Sequence, residues 1–209
     1  GVHHPDRFAA LNPAIGGLTL GYFGLAENLV PLPIFLVSGA HDQKELVERQ
    51  REAVALLRKR GAEVVHREHP DGGHEMFPED LPDVLTWLRG HVRDPMPPVV
   101  HVLANEVRYG RVAWLAIDAV TKDVRAPESA VTLHSGGPLS DAETKRRYFE
   151  SLEKTAARIE GKRVDATHLA VNTRFVASYS VLVLDGLVDL TKPLVVTTNG
   201  RPSFFGKVT

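Results

Sequence analysis

Pro33-Ile34-Phe35-Leu36-Val37-Ser38-Gly39-Ala40-His41-Asp42 decides how this chain is read. A short, unbroken apolar run is opened by a proline and closed by Ser38-Gly39. It shows no alternation of polar and apolar residues, so neither face of the strand it implies is left to solvent. Strands covered on both faces belong to parallel sheets flanked by helices. In open α/β sheets, ligands and catalytic groups collect at the carboxyl ends of the strands. Asp42 falls at that end, where a carboxylate points into such a site. The same aspartate also suits the N-cap of a following helix. At this point both readings stand.

The flanking sequence fits the same architecture. Residues 45–60 read as a helix with Val47, Ala53, Val54, Leu56 and Leu57 on one face and Gly61 as its C-cap. Residues 63–67 read as a second strand, Asp71-Gly72-Gly73-His74 as a loop, and residues 81–92 as a helix with Val84, Leu85, Trp87 and Leu88 inward. Upstream, Phe8-Ala9-Ala10-Leu11 reads as a short buried strand ending at Asn12-Pro13, and Gly16-Gly17 opens a loop. The order strand, loop, strand, helix, strand, loop, helix over residues 1–93 predicts a parallel sheet with helices on its faces.

Asp94-Pro95-Met96-Pro97-Pro98 is a stiff proline linker, and the texture changes beyond it. Residues 99–103, 111–120, 130–133, 167–172, 175–184 and 194–198 read as strands, and Asn199-Gly200 as a hairpin turn. One helix over 142–160 carries Tyr148, Leu152, Ala156 and Ile159 at helical spacing. Residues 99–209 therefore read as a β-rich, sandwich-like second domain with one helix.

At 209 residues the chain holds one large domain or two small ones. A net charge of -1 gives no bulk attraction for nucleic acid or another polyanion. The absence of cysteine excludes disulfides and thiolate metal sites. No apolar run approaches the ~20 residues that cross a bilayer, so no membrane partner is expected. No signal peptide is visible, and the first residues read as the end of a helix, so the chain is expected to begin inside a domain. The compartment, cytoplasmic or exported, stays open.

Gly72-Gly73-His74-Glu75 is the second chemical motif. Two glycines let the backbone turn sharply and present the imidazole, whose ordinary pKa of ~6.5 suits general-base work. With 10 histidines in the chain, a plain surface histidine is the competing reading. Taken together the motifs say more. A carboxylate follows one strand and a histidine the next, which puts both at one edge of the sheet. A Ser-His-Asp triad needs that arrangement: the acid orients the imidazole, and the imidazole takes the serine proton.

These motifs resemble α/β-hydrolases, in which nucleophile, acid and histidine follow in that chain order. His4-Pro5-Asp6-Arg7-Phe8-Ala9-Ala10-Leu11-Asn12-Pro13-Ala14 is similar to the segment after the nucleophile helix in esterases and prolyl-oligopeptidase-type peptidases. The stretch quoted at the outset resembles the strand with the triad acid. Residues 64–74, followed by 81–88, resemble the last strand, the histidine loop and the terminal helix. The resemblance covers residues 1–93 and implies the C-terminal half of the hydrolase core. It makes Asp42 the triad acid and His74 the base of a serine hydrolase. Such an enzyme cleaves a small-molecule ester or a peptide through an acyl-enzyme, with no cofactor and no metal. The chain departs from the family in having no G-x-S-x-G; the nearest glycine-flanked serine, Ser135, follows the histidine. The nucleophile and oxyanion donors are therefore expected upstream of Gly1. On that expectation the chain is a fragment, inactive and poorly stable alone.

The residues after Val99 resemble the β-rich C-terminal modules of some bacterial hydrolases, chiefly through residues 188–200. Tyr109, Trp114, Tyr179, Phe204 and Phe205 offer a sugar-binding face or a subunit contact, and with it a homo-oligomer; filling the core is the competing reading. His66, His69 and His74 lack the spacing and completing ligands of a metal site. Lys145-Arg146-Arg147 reads as a solvated helix face. The rival to catalysis is a binding or assembly protein on a hydrolase scaffold, with or without a carbohydrate-binding β module.

Overall fold

The computed structural model describes residues 1–16, 24–121, 143, 147 and 155–208. The chain divides into two compact units, Gly1–Arg93 and Asp94–Thr209.

The first unit is a mixed α/β arrangement. Strand β1 (Ile34–Gly39) is buried along its whole length. It pairs in parallel with β2 (Val64–His69), in the register Ile34↔Val64 to Gly39↔His69. Helix α1 (Lys44–Lys59) connects them and buries Val47, Gln50, Ala53, Val54 and Leu57. Gly61 ends it at φ 89°, where its N–H reaches Arg58 O and that of Ala62 reaches Leu57 O. Those paired bonds satisfy the last carbonyls of the helix, and the backbone they need favours glycine. Helix α2 (Leu81–Arg89) lies on the other side. Ile34 joins a cluster with Leu29, Leu32 and Leu57, whereas Phe35 and Val37 join Phe77 and Val84. Successive β1 side chains thus enter two different apolar layers, which is why the sequence shows a continuous run.

Residues 11–14 run parallel to the other edge of β1, with bridges Leu11↔Ile34 and Ala14↔Val37. The pairing lies later than the expected strand at Phe8–Leu11, and Phe8 is exposed. Asn12-Pro13 does not end the segment. Leu11 exchanges bonds with Pro33 O and Phe35 N–H, Pro13 O accepts from Val37, and Ile15 donates to Val37 O. Proline has no N–H to give Phe35 O. The Asn12 side-chain amide supplies the missing donor at 2.6 Å.

Two further expectations for this unit need correcting. The second helix ends at Arg89 rather than Val92, and Leu85 is 47% exposed rather than inward. Val84, Trp87 and Leu88 form its inner stripe, and Leu85 falls one position, about 100°, off it.

Among the described residues the second unit holds two sheets. One has five strands in the order β10-β9-β7-β6-β3, the other three in the order β4-β5-β8. The strands are β3 (Val99–Ala104), β4 (Arg111–Val112), β5 (Leu115–Val120), β6 (Ala157–Asp165), β7 (His168–Arg174), β8 (Val176–Val181), β9 (Leu194–Thr198) and β10 (Arg201–Gly206). β7 and β9 pair in parallel, and the other named strand pairs of this unit are antiparallel. The expected strand over 111–120 is split at Ala113, which takes φ 46°. Asn199 and Gly200 take φ 50° and 77° and turn β9 into β10.

The expected helix over 142–160 is overturned at its C-terminal end. Thr155 is helical, but Ala157 already begins β6, with Ala157, Ile159 and Gly161 buried in alternation. Ala156 and Ile159 have helical spacing; the period-two set around them prevails because Ile159 meets the shared core of both sheets. Of the rest, Glu143 and Arg147 are helical and joined by a 2.8 Å ion pair. The strand over 130–133, Ser135, Tyr148, Leu152, Lys145, Arg146 and Gly17 lie outside the described residues.

The Asn12–Phe35 bond gives a direct check on the first unit. Asn12→Ala leaves the buried Phe35 carbonyl without a donor, at a cost of about 1–3 kcal/mol. Amide exchange at Phe35 and Val37 is then expected to accelerate by roughly one to two orders of magnitude, with β6 and β7 unaffected.

Candidate active site

The carboxyl ends of β1 and β2 each pass into a tight turn. The Asp42 N–H returns to Gly39 O at 3.4 Å. The Gly72 N–H returns to His69 O at 3.2 Å. Backbone bonds then join the two turns: the Ala40 N–H donates to His69 O at 2.9 Å and the His41 N–H to Gly72 O at 2.8 Å. A Cβ on Gly39 would fall onto the carbonyl oxygens of Gly72 and Gly73. A Cβ on Gly72 would lie 2.6 Å from the Phe77 ring. The approach of the two loops therefore depends on glycine at Gly39, and the seating of the Phe77 ring on glycine at Gly72.

This framework brings Asp42 and His74, 32 residues apart, into contact. His74 Nδ1 lies 3.0 Å from each carboxylate oxygen of Asp42. The Asp42 side chain is fully buried, whereas that of His74 is 60% exposed. Asp42 Oδ1 also accepts the Gln43 N–H at 2.6 Å. The N-cap of α1 is Gln43, whose own side chain makes no capping bond, and the Asp42 carboxylate serves both the Gln43 N–H and the imidazole. A carboxylate partner puts the proton on Nδ1. The lone pair of Nε2 is then left on the side of the ring away from Asp42. The arrangement can take a proton from a group placed against Nε2 and hold the resulting imidazolium beside a negative charge.

A second cluster supports the histidine loop. His69 Nε2 lies 2.7 Å from Asp80 Oδ2, and Arg67 donates to Asp80 Oδ1 at 2.6 Å and to Asp83 at 3.0 Å. The His69 ring stacks flat on Phe77, with centroids 4.0 Å apart. Burial pushes the Asp80 carboxyl up. The bonds from Arg67 and His69 and their charge outweigh that and hold it below the usual carboxylate value. The sequence reading missed Asp80, because an aspartate before Leu81-Pro82 reads as a helix cap. The legible signal was Arg67 and His69, two apart on one face of a strand, ahead of an acidic helix start.

The three histidines weighed as a metal site go to different partners: His66 to the Ser38 hydroxyl at 2.8 Å, His69 to Asp80, and His74 to Asp42. Among the described residues no three His, Cys, Asp or Glu side chains converge. Ser38 is fully buried, so its hydroxyl is out of reach of substrate despite its histidine partner. Burial lowers the His66 pKa. A cavity of about 710 Å³ lies between α1 and β1, lined by Leu11, Ile34, Leu36 and Val54; neither Asp42 nor His74 lines it.

In the second unit the aromatics divide between the two readings of the sequence, core filling and an exposed face. Trp114 is completely buried, its Nε1–H donating to Pro97 O at 2.9 Å. Tyr109 and Tyr179 are half-buried, and Phe204 and Phe205 are exposed. Trp114 fills the core because Gly161 leaves room: a Cβ there would lie 2.5 Å from its ring.

Fold and site together define a mixed α/β unit that presents a carboxylate–histidine pair at the carboxyl ends of parallel strands. No protein-family model matches the chain, and no curated protein matches it. Among solved structures, it is similar to the crystal structure of Zea mays acyl-protein thioesterase 2. That match has 20% identity and a TM-score of 0.33, and covers 39% of this chain and 40% of that one. The chain thus spans about two fifths of the length of the thioesterase. A likeness of this size is a partial one of fold and carries nothing about chemistry.

His66 and Asp80 are two of the shifted groups through which the first unit responds to acid. The folded state holds His66 neutral where the unfolded chain is already protonated, so its contribution is present above about pH 6.5 and is lost as pH falls below that. The Asp80 contribution is present above about pH 4 and is lost as pH falls through its lowered folded value. His66→Gln is expected to flatten the first decline in urea midpoint with pH and leave the second in place.

Proposed function

We propose that Asp42 and His74 are the acid and base of a Ser-His-Asp triad, and that the chain is part of a serine hydrolase acting on ester or peptide bonds. One observation carries the reading. A fully buried carboxylate holds Nδ1 of an otherwise exposed imidazole at the carboxyl ends of parallel strands. Burying an aspartate is costly unless its charge is used, and here the carboxylate is shared between the Gln43 N–H and an imidazole that is 60% exposed.

The chemistry follows from the two nitrogens. Nε2 takes the proton of a serine hydroxyl as its oxygen attacks the carbonyl carbon, and the carbonyl electron pair moves onto oxygen. The tetrahedral species collapses, and the leaving alkoxide or amine departs with the proton now held by the imidazolium. Water repeats the sequence on the acyl-enzyme, which returns the serine. Asp42 fixes the tautomer and stabilises the imidazolium without itself being protonated. In this reading the serine and the oxyanion donors come from residues preceding Gly1 in chain order, as the α/β-hydrolase resemblance implies.

The test uses the polypeptide that carries this chain together with its nucleophile. Asp42→Asn is expected to lower kcat on a p-nitrophenyl ester by about 10⁴-fold. His74→Ala is expected to lower it by roughly 10³-fold or more and to abolish labelling by a fluorophosphonate. Turnover and labelling within a few-fold of the unaltered protein in both variants would overturn the reading and leave a binding protein on the same scaffold.

A further inference from the structure

We infer that Asp80 is a positioning residue for His74, acting through His69; this rests on the reading of His74 as the catalytic base. The Asp42 end of the pair needs no help, since its carboxylate is enclosed at the end of β1 and bonded to the Gln43 N–H. His74 is different. It stands on a loop, more than half exposed, and Asp42 is the side-chain partner that holds its ring. Whether the imidazole stays there depends on what fixes the loop.

Asp80 fixes both ends of it. Before His74, Asp80 Oδ2 holds His69 Nε2 at 2.7 Å. The carbonyl of that same His69 receives the Ala40 N–H from the Asp42 turn and the Gly72 N–H from the histidine turn. After His74, the Asp80 N–H bonds to Phe77 O at 3.1 Å, and the Phe77 ring lies flat on His69 and against Gly72. Arg67 anchors the other carboxylate oxygen and also reaches Asp83 on α2. The charged bonds at Asp80 thus tie β2, the start of α2 and both stems of the loop into one cluster. Asp80 is the residue before α2 but makes no side-chain capping bond, so its carboxylate is committed to this cluster and not to the helix. A charge-assisted set centred on a buried carboxylate is stiffer than its separate contacts, because each partner holds the next in place.

The inference separates positioning from plain stability. NMR of the whole 209-residue chain reads the His74 Nδ1–H proton, its exchange with water, and the amide protection of Phe35 and Val37 in the core. In the unaltered chain the Nδ1–H is expected to be protected, and Asp42→Asn to abolish that protection; if Phe35 and Val37 are protected and the unaltered chain still shows no Asp42-dependent proton, the triad reading itself fails. Asp80→Asn is expected to speed Nδ1–H exchange tenfold or more while protection of Phe35 and Val37 persists. His69→Phe, which keeps the ring stack but removes the bond to Asp80, is expected to do the same, whereas His69→Gln keeps a donor and retains most of the protection. In the catalytically complete polypeptide the same substitutions are expected to lower kcat at least tenfold with KM within about twofold, since His74 acts in the transition state. Should Asp80→Asn lose the core altogether, the His69→Phe and His69→Gln pair decides. An Nδ1–H unchanged in His69→Phe, or equally lost in both, overturns the inference while the Asp42→Asn result still stands.

Discussion

The first unit depends on the close approach of two loops at Gly39. Hydrogen bonds from Ala40 and His41 cross to His69 and Gly72 only because nothing projects from Gly39 toward the carbonyls of Gly72 and Gly73. Those bonds set the distance between the end of β1 and the end of β2. Asp42 and His74 inherit that distance, and a carboxylate–imidazole contact of 3.0 Å is its consequence. The pair is a product of backbone geometry before it is one of side-chain attraction.

The rest of the unit serves that approach from two sides. On one side Leu29, Leu32 and, from α1, Leu57 pack on Ile34; on the other, Phe77, Val84 and Trp87 pack on Phe35 and Val37. A strand clamped between two apolar layers presents a fixed end, which a half-exposed strand does not. The edge near residues 11–15 shows how tightly the pairing is kept. Where Pro13 lacks a donor, the neighbouring asparagine side chain replaces it, and the parallel ladder continues past a residue that would otherwise interrupt it. On the far side of the histidine loop, Asp80 gathers Arg67 and His69, so the loop is held at its stems and free at its tip. A fixed stem with an exposed tip suits a residue that must meet a substrate from solvent.

Much of this was legible because it depends on local pattern. The continuous run at Pro33–Val37 marks a strand buried on both faces, and Gly61 marks the end of α1, since both are read from composition and backbone preference alone. Asp42 and His74 were legible as a pair because strand order places them at one edge. What escaped depends on partners distant in sequence. Asp80 looks like a cap until Arg67 and His69 face it. Residues 157–160 fit a helix as well as a strand, and the choice falls to the strand because Ile159 and Gly161 meet Trp114 and Leu115. Leu85 has the apolarity of its neighbours but lies off the inner stripe of α2. In each case local propensity was indifferent and tertiary packing decided.

The central claim is that Nε2 of His74 faces a serine whose proton it takes. The most direct measurement is a crystal structure of the polypeptide that carries this chain with its nucleophile, after reaction with a fluorophosphonate. The account predicts a phosphonylated serine on a strand-to-helix turn, its Oγ about 2.6–3.2 Å from His74 Nε2, with Asp42 still on Nδ1. A label on a residue remote from His74, or a His74 turned away from Asp42 in the reacted protein, would contradict it.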